Sequence, residues 1–275
     1  MSVKIAVAGA NGRMGQQLLT AVSHQQGARL SGAFARAHSY ENGHEGSHKH
    51  GHKHGHKHDY EEDMALAFAG ADVVIDFTLP AATREVMAAA KAAGAAYVLG
   101  TTGHEAAQRQ AIEAAAHSMP ILWAANFSLG VNVLLGLVQQ AARALPAPLF
   151  DLDILELHHG RKIDAPSGTA LALGRAAAAG RGITLEEVAT YARAGETGAR
   201  PEGEIGFATL RGGNNPGEHS VLLLGEGERI ELSHRALDRS IFAKGAVTAA
   251  LWLHEHRRGQ PGLYGMADVL GFGPL

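Results

Sequence analysis

One stretch holds more reactive side chains than any other: Glu156-Leu157-His158-His159-Gly160-Arg161-Lys162-Ile163-Asp164-Ala165-Pro166-Ser167-Gly168-Thr169-Ala170. Two adjacent imidazoles, His158 and His159, precede the cations Arg161 and Lys162. Pro166-Ser167-Gly168-Thr169 then opens a helix, with proline early in its first turn and hydroxyls as caps. The N–H groups of such a helix start are a ready carboxylate site. Imidazole, lysine and an anion-binding helix start together suit reduction of an acidic substrate. The cations would neutralise its carboxylates, and His or Lys would donate a proton as hydride arrives. The plainer reading is a solvated basic loop ahead of a capped helix.

A carrier for the hydride is readable near the N-terminus. The strand "KIAVAGA" (residues 4–10) runs through Gly9, Ala10, Asn11, Gly12, Arg13, Met14 and Gly15 into a helix. A dinucleotide's pyrophosphate needs such a tight turn with no side chain in the way, so that backbone N–H groups reach it. The spacing is GxxGxxG and not GxGxxG, so an unliganded glycine turn is the plainer alternative. The next strand ends Ala33-Phe34-Ala35-Arg36, with no carboxylate for a ribose hydroxyl. Arg36 is available for a 2′-phosphate, with Arg13 helping, which favours NADPH while leaving NADH possible. Gly100-Thr101-Thr102 and Ala124-Ala125-Asn126-Phe127 follow later strands and put small or hydroxyl residues where a nicotinamide ribose could lie.

The elements that must position these groups alternate. Short apolar runs such as "ADVVIDFT" (residues 71–78) take turns with alanine-rich helical stretches as far as "PILWAANFS", predicting a doubly wound parallel sheet. After Phe127 the pattern changes. A long helix, "GVNVLLGLVQQAARAL", leads to the amphipathic strand "DLDILELHH". The segments "EIGFATLRGG", "HSVLLLG" and "ERIELSHRAL" then read as antiparallel strands, and "IFAKGAVTAALWLHEHRR" as a closing helix. The fold class expected is α/β: a Rossmann-like sheet plus a second α+β domain.

Among the 275 residues there is no cysteine, which excludes disulfides, thiolate metal sites and cysteine nucleophiles. A formal net charge of -3 gives no global field for nucleic acid or an anionic membrane. No apolar run approaches the roughly 20 residues of a membrane span, and the N-terminus enters a strand without a leader pattern. The expected location is cytoplasmic.

Residues 38–60 are a low-complexity interval holding eight of the seventeen histidines, among them His48, His50, His52, His54, His56 and His58. Such a composition can bind divalent metal adventitiously. It can bury little and predicts a mobile loop, not a scaffolded catalytic metal site.

The motifs "VAGANGRMG", "DVVIDFT", "GTTG", "AANFSLGVNV", "ELHHGRKIDAPSGTA", "GEIGFATLRGG", "GEH" and "ALWL…GLYGMADVL" occur in register along nearly the whole chain outside that interval. In these the sequence resembles the dihydrodipicolinate reductase family, enzymes of the diaminopimelate route to lysine. The resemblance implies a dinucleotide-binding domain of residues 1–127 and 240–275, and a substrate and oligomerisation domain of residues 128–239 that builds a homotetramer. It implies that Gly9 to Met14 hold the pyrophosphate, Arg36 addresses the adenosine ribose, and Gly100 to Thr102 with Ala124 to Phe127 line the nicotinamide side. His158 matches the proton donor or acceptor and Lys162 the second proton donor. His159, Lys162, Gly168, Thr169 and, more weakly, Arg239 match contacts to a small dicarboxylate substrate. Members using both cofactors tend to carry a carboxylate where this chain has Ala35, which sharpens the expectation of NADPH.

Three other readings explain less. Another Rossmann oxidoreductase of a small dicarboxylate needs the glycine loop but not the "HHGRK…PSGT" constellation. An inert NADP-binding protein needs neither His158 nor Lys162, and a metal buffer needs only the histidine tract.

Overall fold

A computed structural model of the chain describes residues 2–36 and 60–272. The histidine tract, with the mobile-loop and metal readings placed on it, lies outside the described residues. The elements begin with β1 (Val3–Ala8), α1 (Arg13–His24), β2 (Ala28–Phe34), α2 (Met64–Phe68), β3 (Val73–Asp76), α3 (Pro80–Ala92), β4 (Ala96–Leu99), α4 (Ala106–Ala116) and β5 (Pro120–Trp123). There follow α5 (Leu129–Ala144), β6 (Asp151–His158), α6 (Gly168–Gly180), α7 (Leu185–Val188), β7 (Ala189–Thr190), β8 (Ile205–Arg211), β9 (Glu218–Leu224) and β10 (Arg229–Arg235). The chain closes with α8 (Ser240–Arg257), β11 (Gly262–Tyr264) and α9 (Met266–Leu270).

Two compact units result: Met1–Phe127 with Phe242–Val269, and Ser128–Ile241 with the residues from Leu270 on. Within the second, Phe272 lies against Gly136 of α5, 3.0 Å from where a Cβ would stand.

The first unit is a parallel sheet in the order β11-β5-β4-β3-β1-β2. Alternation along each strand feeds two cores. Ile5, Val7, Val73, Ile75, Val98 and Leu122 face α1 and α8, whereas Ala6, Ala8, Val74, Tyr97, Leu99 and Ile121 face α2, α3 and α4. Both faces are covered, which is why these strands read as unbroken apolar runs. The chain reverses direction across the sheet between β1 and β3, the position at which open α/β sheets bind ligands. The edge strand β11, docked on β5, was not foreseen, because three residues with one exposed leucine carry no periodic signal.

The second unit is a mixed sheet in the order β10-β9-β6-β8-β7. One face packs on α5 and α6 through Leu134, Val138, Leu173, Leu152, Ile154, Phe207 and Val221. On the other face Leu155, Leu157, Leu222 and Leu224 are half-buried and Leu210 is 50% exposed. One expectation is corrected here. The strand β8 does not pair with β9; it runs parallel to β6, which lies between them. The crossover through α6 and α7 makes parallel pairing possible, and only β9 and β10 form the expected hairpin.

Candidate active site

In the first unit the glycine loop sits at the carboxyl end of β1. Gly9 has φ +71°, a region open to glycine, and a Cβ there would fall 2.9 Å from Thr78 Cγ2. A Cβ on Gly15 would fall 2.2 Å from the Gly9 carbonyl, so helix and turn meet backbone to backbone. Ala10 donates to the Phe34 carbonyl at 2.9 Å, tying the loop to the end of β2. The helix α1 starts at Gly12 with no side-chain cap, unlike α5 and α6, which Ser128 and Ser167 cap. An uncapped helix start behind a side-chain-free cradle fits a dinucleotide pyrophosphate.

The other candidates of this unit gather on the same sheet edge. Gly100 donates to the Asp76 carbonyl at 2.8 Å, Thr101 Oγ1 donates to the Thr78 carbonyl at 3.2 Å, and Ala124 donates to the Leu99 carbonyl at 3.2 Å. Thr102 and Ala125 are exposed, Asn126 is half-buried, and the buried Phe127 ring lies 5.4 Å from Phe77. Arg13 is exposed beside Met14. Arg36, just past β2, pairs with Glu85 of α3.

Beneath this edge is a buried polar pair that sequence reasoning passed over. Tyr97 OH donates to Asp76 Oδ2, and the Thr78 N–H donates to Asp76 Oδ1 at 2.7 Å. Burial pushes the Asp76 carboxyl up against these hydrogen bonds and also holds the tyrosine hydroxyl well above its usual range. The pair fixes the turn carrying Thr78, and through it the wall against Gly9.

In the second unit, His158 ends β6 on the strand's inward face, together with Glu156, which is 1% exposed. His158 Nδ1 lies 2.5 Å from Glu156 Oε2. Arg211 grips both carboxylate oxygens, Nη1 to Oε2 and Nη2 to Oε1, each at 2.8 Å. The Ser167 N–H adds a bond to Oε1 at 2.9 Å. Burial pushes the Glu156 carboxyl up, but Arg211, His158 and the Ser167 N–H outweigh it and hold the group below its usual range. Burial, with help from Lys162 and Arg211, depresses His158 against the opposing pull of Glu156.

The loop after β6 is pinned to the one after β8. His159 N donates to the Asn215 carbonyl at 2.9 Å, and Gly212 N donates to the His158 carbonyl at 2.9 Å. Lys162 Nζ pairs with Asp164 Oδ1 at 2.8 Å, and Arg239 Nη2 donates to His159 Nε2 at 3.2 Å. Gly168 and Thr169 form the first turn of α6, behind the cap Ser167. Pro166 stands one residue ahead of that cap, after a cis peptide, and not in the first turn as expected. His158, His159, Lys162, Gly168, Thr169 and Arg239 thus lie in adjoining segments of one unit, although 81 positions separate the first from the last.

Sequence reasoning missed Glu156, Arg211 and His219 as parts of this site. His219 is buried on β9, its ring 5.1 Å from that of His158 and its Nε2 2.9 Å from Ser167 Oγ. A signal existed for Glu156. In "DLDILELH" the acids at 151 and 153 set one parity and Glu156 breaks it, which puts the carboxylate on the core side beside His158. Among the described residues no group of three or more His, Asp or Glu side chains is arranged to hold a metal, and no helix is long and apolar enough to cross a membrane.

The parallel sheet with a side-chain-free cradle at its switch point, joined in one chain to a basic histidine site, defines a Rossmann-type NAD(P)-dependent oxidoreductase. Residues 3–127 match the model of "Dihydrodipicolinate reductase, N-terminus" and residues 130–270 that of "Dihydrodipicolinate reductase, C-terminus". The chain belongs to the dihydrodipicolinate reductase family. It is 51% identical over 269 residues to the 4-hydroxy-tetrahydrodipicolinate reductase of Rhizobium meliloti (strain 1021), covering 98% of this chain and 97% of the relative. The enzyme of the same name from Caulobacter vibrioides is 47% identical over 271 residues, with 98% of each chain covered. Among solved structures, the dipicolinate-bound dihydrodipicolinate reductase from Paenisporosarcina sp. TG-14 superposes with a TM-score of 0.74. It is 23% identical, covers 98% of this chain and 99% of that one, and speaks for the fold.

Proposed function

We propose that this chain reduces 4-hydroxy-tetrahydrodipicolinate, by way of dihydrodipicolinate, to tetrahydrodipicolinate in the diaminopimelate route to lysine. In this reading it works in the cytoplasm and prefers NADPH to NADH. The observation that carries the reading is the convergence of His158, Lys162 and the α6 start in a chain about half identical to enzymes of that name. The bound nicotinamide supplies hydride to the ring carbon conjugated with the imine.

The chain's own residues do the rest. Gly168 and Thr169, at the positive end of α6, take one carboxylate. His159, backed by Arg239, and Lys162 take the other. The ring carries its charge next to these cations, and negative charge that develops on hydride addition is stabilised there. The substrate hydroxyl leaves as water before hydride arrives. One proton then goes to the enamine from Nε2 of His158 in its imidazolium form, with the Lys162 ammonium as the second donor beside it; Asp164 holds the lysine until the substrate carboxylate competes for it. At the other end, Arg36 leaves Glu85 to meet a 2′-phosphate, and Ala35 offers no carboxylate to favour NADH.

The partly exposed leucines on the face of the second sheet away from α5 and α6, set among Asp151, Asp153, Glu218 and Glu231, support the homotetramer, because a second copy would bury them. Sedimentation of the purified chain tests it, and a monomer at micromolar concentration refutes it. Oxidation of NADPH by freshly made 4-hydroxy-tetrahydrodipicolinate tests the reaction. A folded protein that gives no turnover sinks the reading.

A further inference from the structure

We propose that Glu156 and Arg211 act as a positioning pair that holds His158 by Nδ1, so that Nε2 is the nitrogen exchanging protons with substrate. The proposal rests on the role given to His158 above and names the groups that set it.

Geometry carries the argument. Glu156 and His158 stand two residues apart on the inward face of β6, so strand alternation puts carboxylate and imidazole side by side. The carboxylate is committed before the histidine is counted: Arg211 occupies both oxygens at 2.8 Å and the Ser167 N–H takes Oε1 at 2.9 Å. An ionised carboxylate only accepts hydrogen bonds, so the Nδ1 facing it at 2.5 Å carries the proton. That leaves Nε2 as the basic nitrogen of the neutral ring. The backbone opposite Nε2 belongs to Gly217, where a Cβ would stand only 2.8 Å away. Any side chain there would cover the nitrogen that must work.

Arg211 does more than anchor. Alone, Glu156 would stabilise the imidazolium and make His158 a poor proton donor. Register places Arg211 directly across from His158 on β8, and its charge offsets that of the carboxylate. The groups facing His158 are Glu156 on its own strand, Arg211 on β8, Lys162 in the loop after β6, and His219 on β9. Glu156 and Arg211 thus pull the imidazole in opposite directions, while burial holds it below its usual value.

The test is imidazole nitrogen NMR of the full-length chain, with steady-state kinetics alongside. In the wild type, His158 shows the Nδ1–H tautomer. Glu156→Gln removes negative charge and moves the His158 titration down by about one pH unit, while Arg211→Gln moves it up by a similar amount. Arg211→Lys keeps the charge and restores the wild-type titration, which a purely structural ion pair has no reason to do. In both Gln variants kcat falls at least about tenfold and KM for substrate changes less, as expected for a group acting on the proton and not on binding. If Glu156→Gln fails to fold, the two Arg211 variants still decide. A wild-type His158 in the Nε2–H tautomer, or titrations unchanged in the folded variants, overturns the proposal. The NMR readout needs no turnover, so a wild type that shows the tautomer but no reduction refutes the reductase reading alone.

Discussion

Ser167 Oγ lies 2.9 Å from His219 Nε2 while accepting the Ala170 N–H at 3.1 Å. A hydroxyl has one proton to donate and two lone pairs, so it can serve either tautomer of a neutral His219 while keeping the Ala170 amide. Burial pushes this imidazole down from 6.5 to about 4, with the nearby His158 adding to the effect. The unfolded chain takes up a proton below 6.5 that the folded chain refuses until about 4, so stability falls as the pH drops through that window. The loss is on the order of 3 kcal/mol when complete. His104, His158 and His234 are depressed as well and add slope of the same sign. Calorimetric Tm against pH is therefore expected to fall less steeply for His219→Gln than for the wild type. Parallel profiles would show that another group titrates.

Gly15→Ala tests the cradle. The new methyl would overlap the Gly9 carbonyl at 2.2 Å, so α1 must move away from the turn proposed to hold the pyrophosphate. The expected outcome is a KM for NADPH raised at least roughly tenfold, with substrate KM little changed, as for lost ground-state binding. An unaltered KM for NADPH would place the cofactor elsewhere.

Arg36 and Glu85 give a test of cofactor choice. Their side chains are 61% and 62% exposed, so the pair is worth little to stability. Glu85→Gln removes this ion pair and is expected to raise the ratio of kcat/KM for NADPH over NADH severalfold. Arg36→Ala should lower it toward one. A wild-type ratio at or below one refutes the preference for NADPH.

His158→Gln is expected to lower kcat by roughly 100- to 10,000-fold, the range for loss of a general acid, and to raise KM far less. An unchanged kcat removes His158 from proton transfer. Lys162→Met should depress kcat and raise KM together if, as proposed, the ammonium both meets a carboxylate and donates.

The buried Asp76 depends on Tyr97 for one of its donors. Tyr97→Phe leaves that oxygen without its partner and should cost about 1–3 kcal/mol in denaturant unfolding. A smaller cost would mean that the Thr78 N–H alone satisfies the carboxylate.

Much of the fold was legible because its signals are local. The alternation of strand and helix, the glycine turn ahead of α1 and the serine at the head of α6 each depend on residues within a few positions of one another. The same holds for His158 and Lys162, four residues apart at the end of β6 and in the loop that follows, and for the strand end that carries Ala35 and Arg36. What the sequence did not reveal is who faces whom across the second sheet. Arg211 reaches Glu156 because β8 runs parallel to β6 in a register that sets Thr209 against Glu156, and His219 arrives from the other side on β9. Those partners are 55 and 63 residues away from Glu156. Strand pairing over such distances is decided by the packing of α5 and α6 on one face, and no local spacing encodes it. The sequence alone thus determined the family and the residue types gathered around His158, whereas the tertiary structure decided which nitrogen of His158 faces Glu156, since that contact depends on a neighbour that only the folded sheet orients.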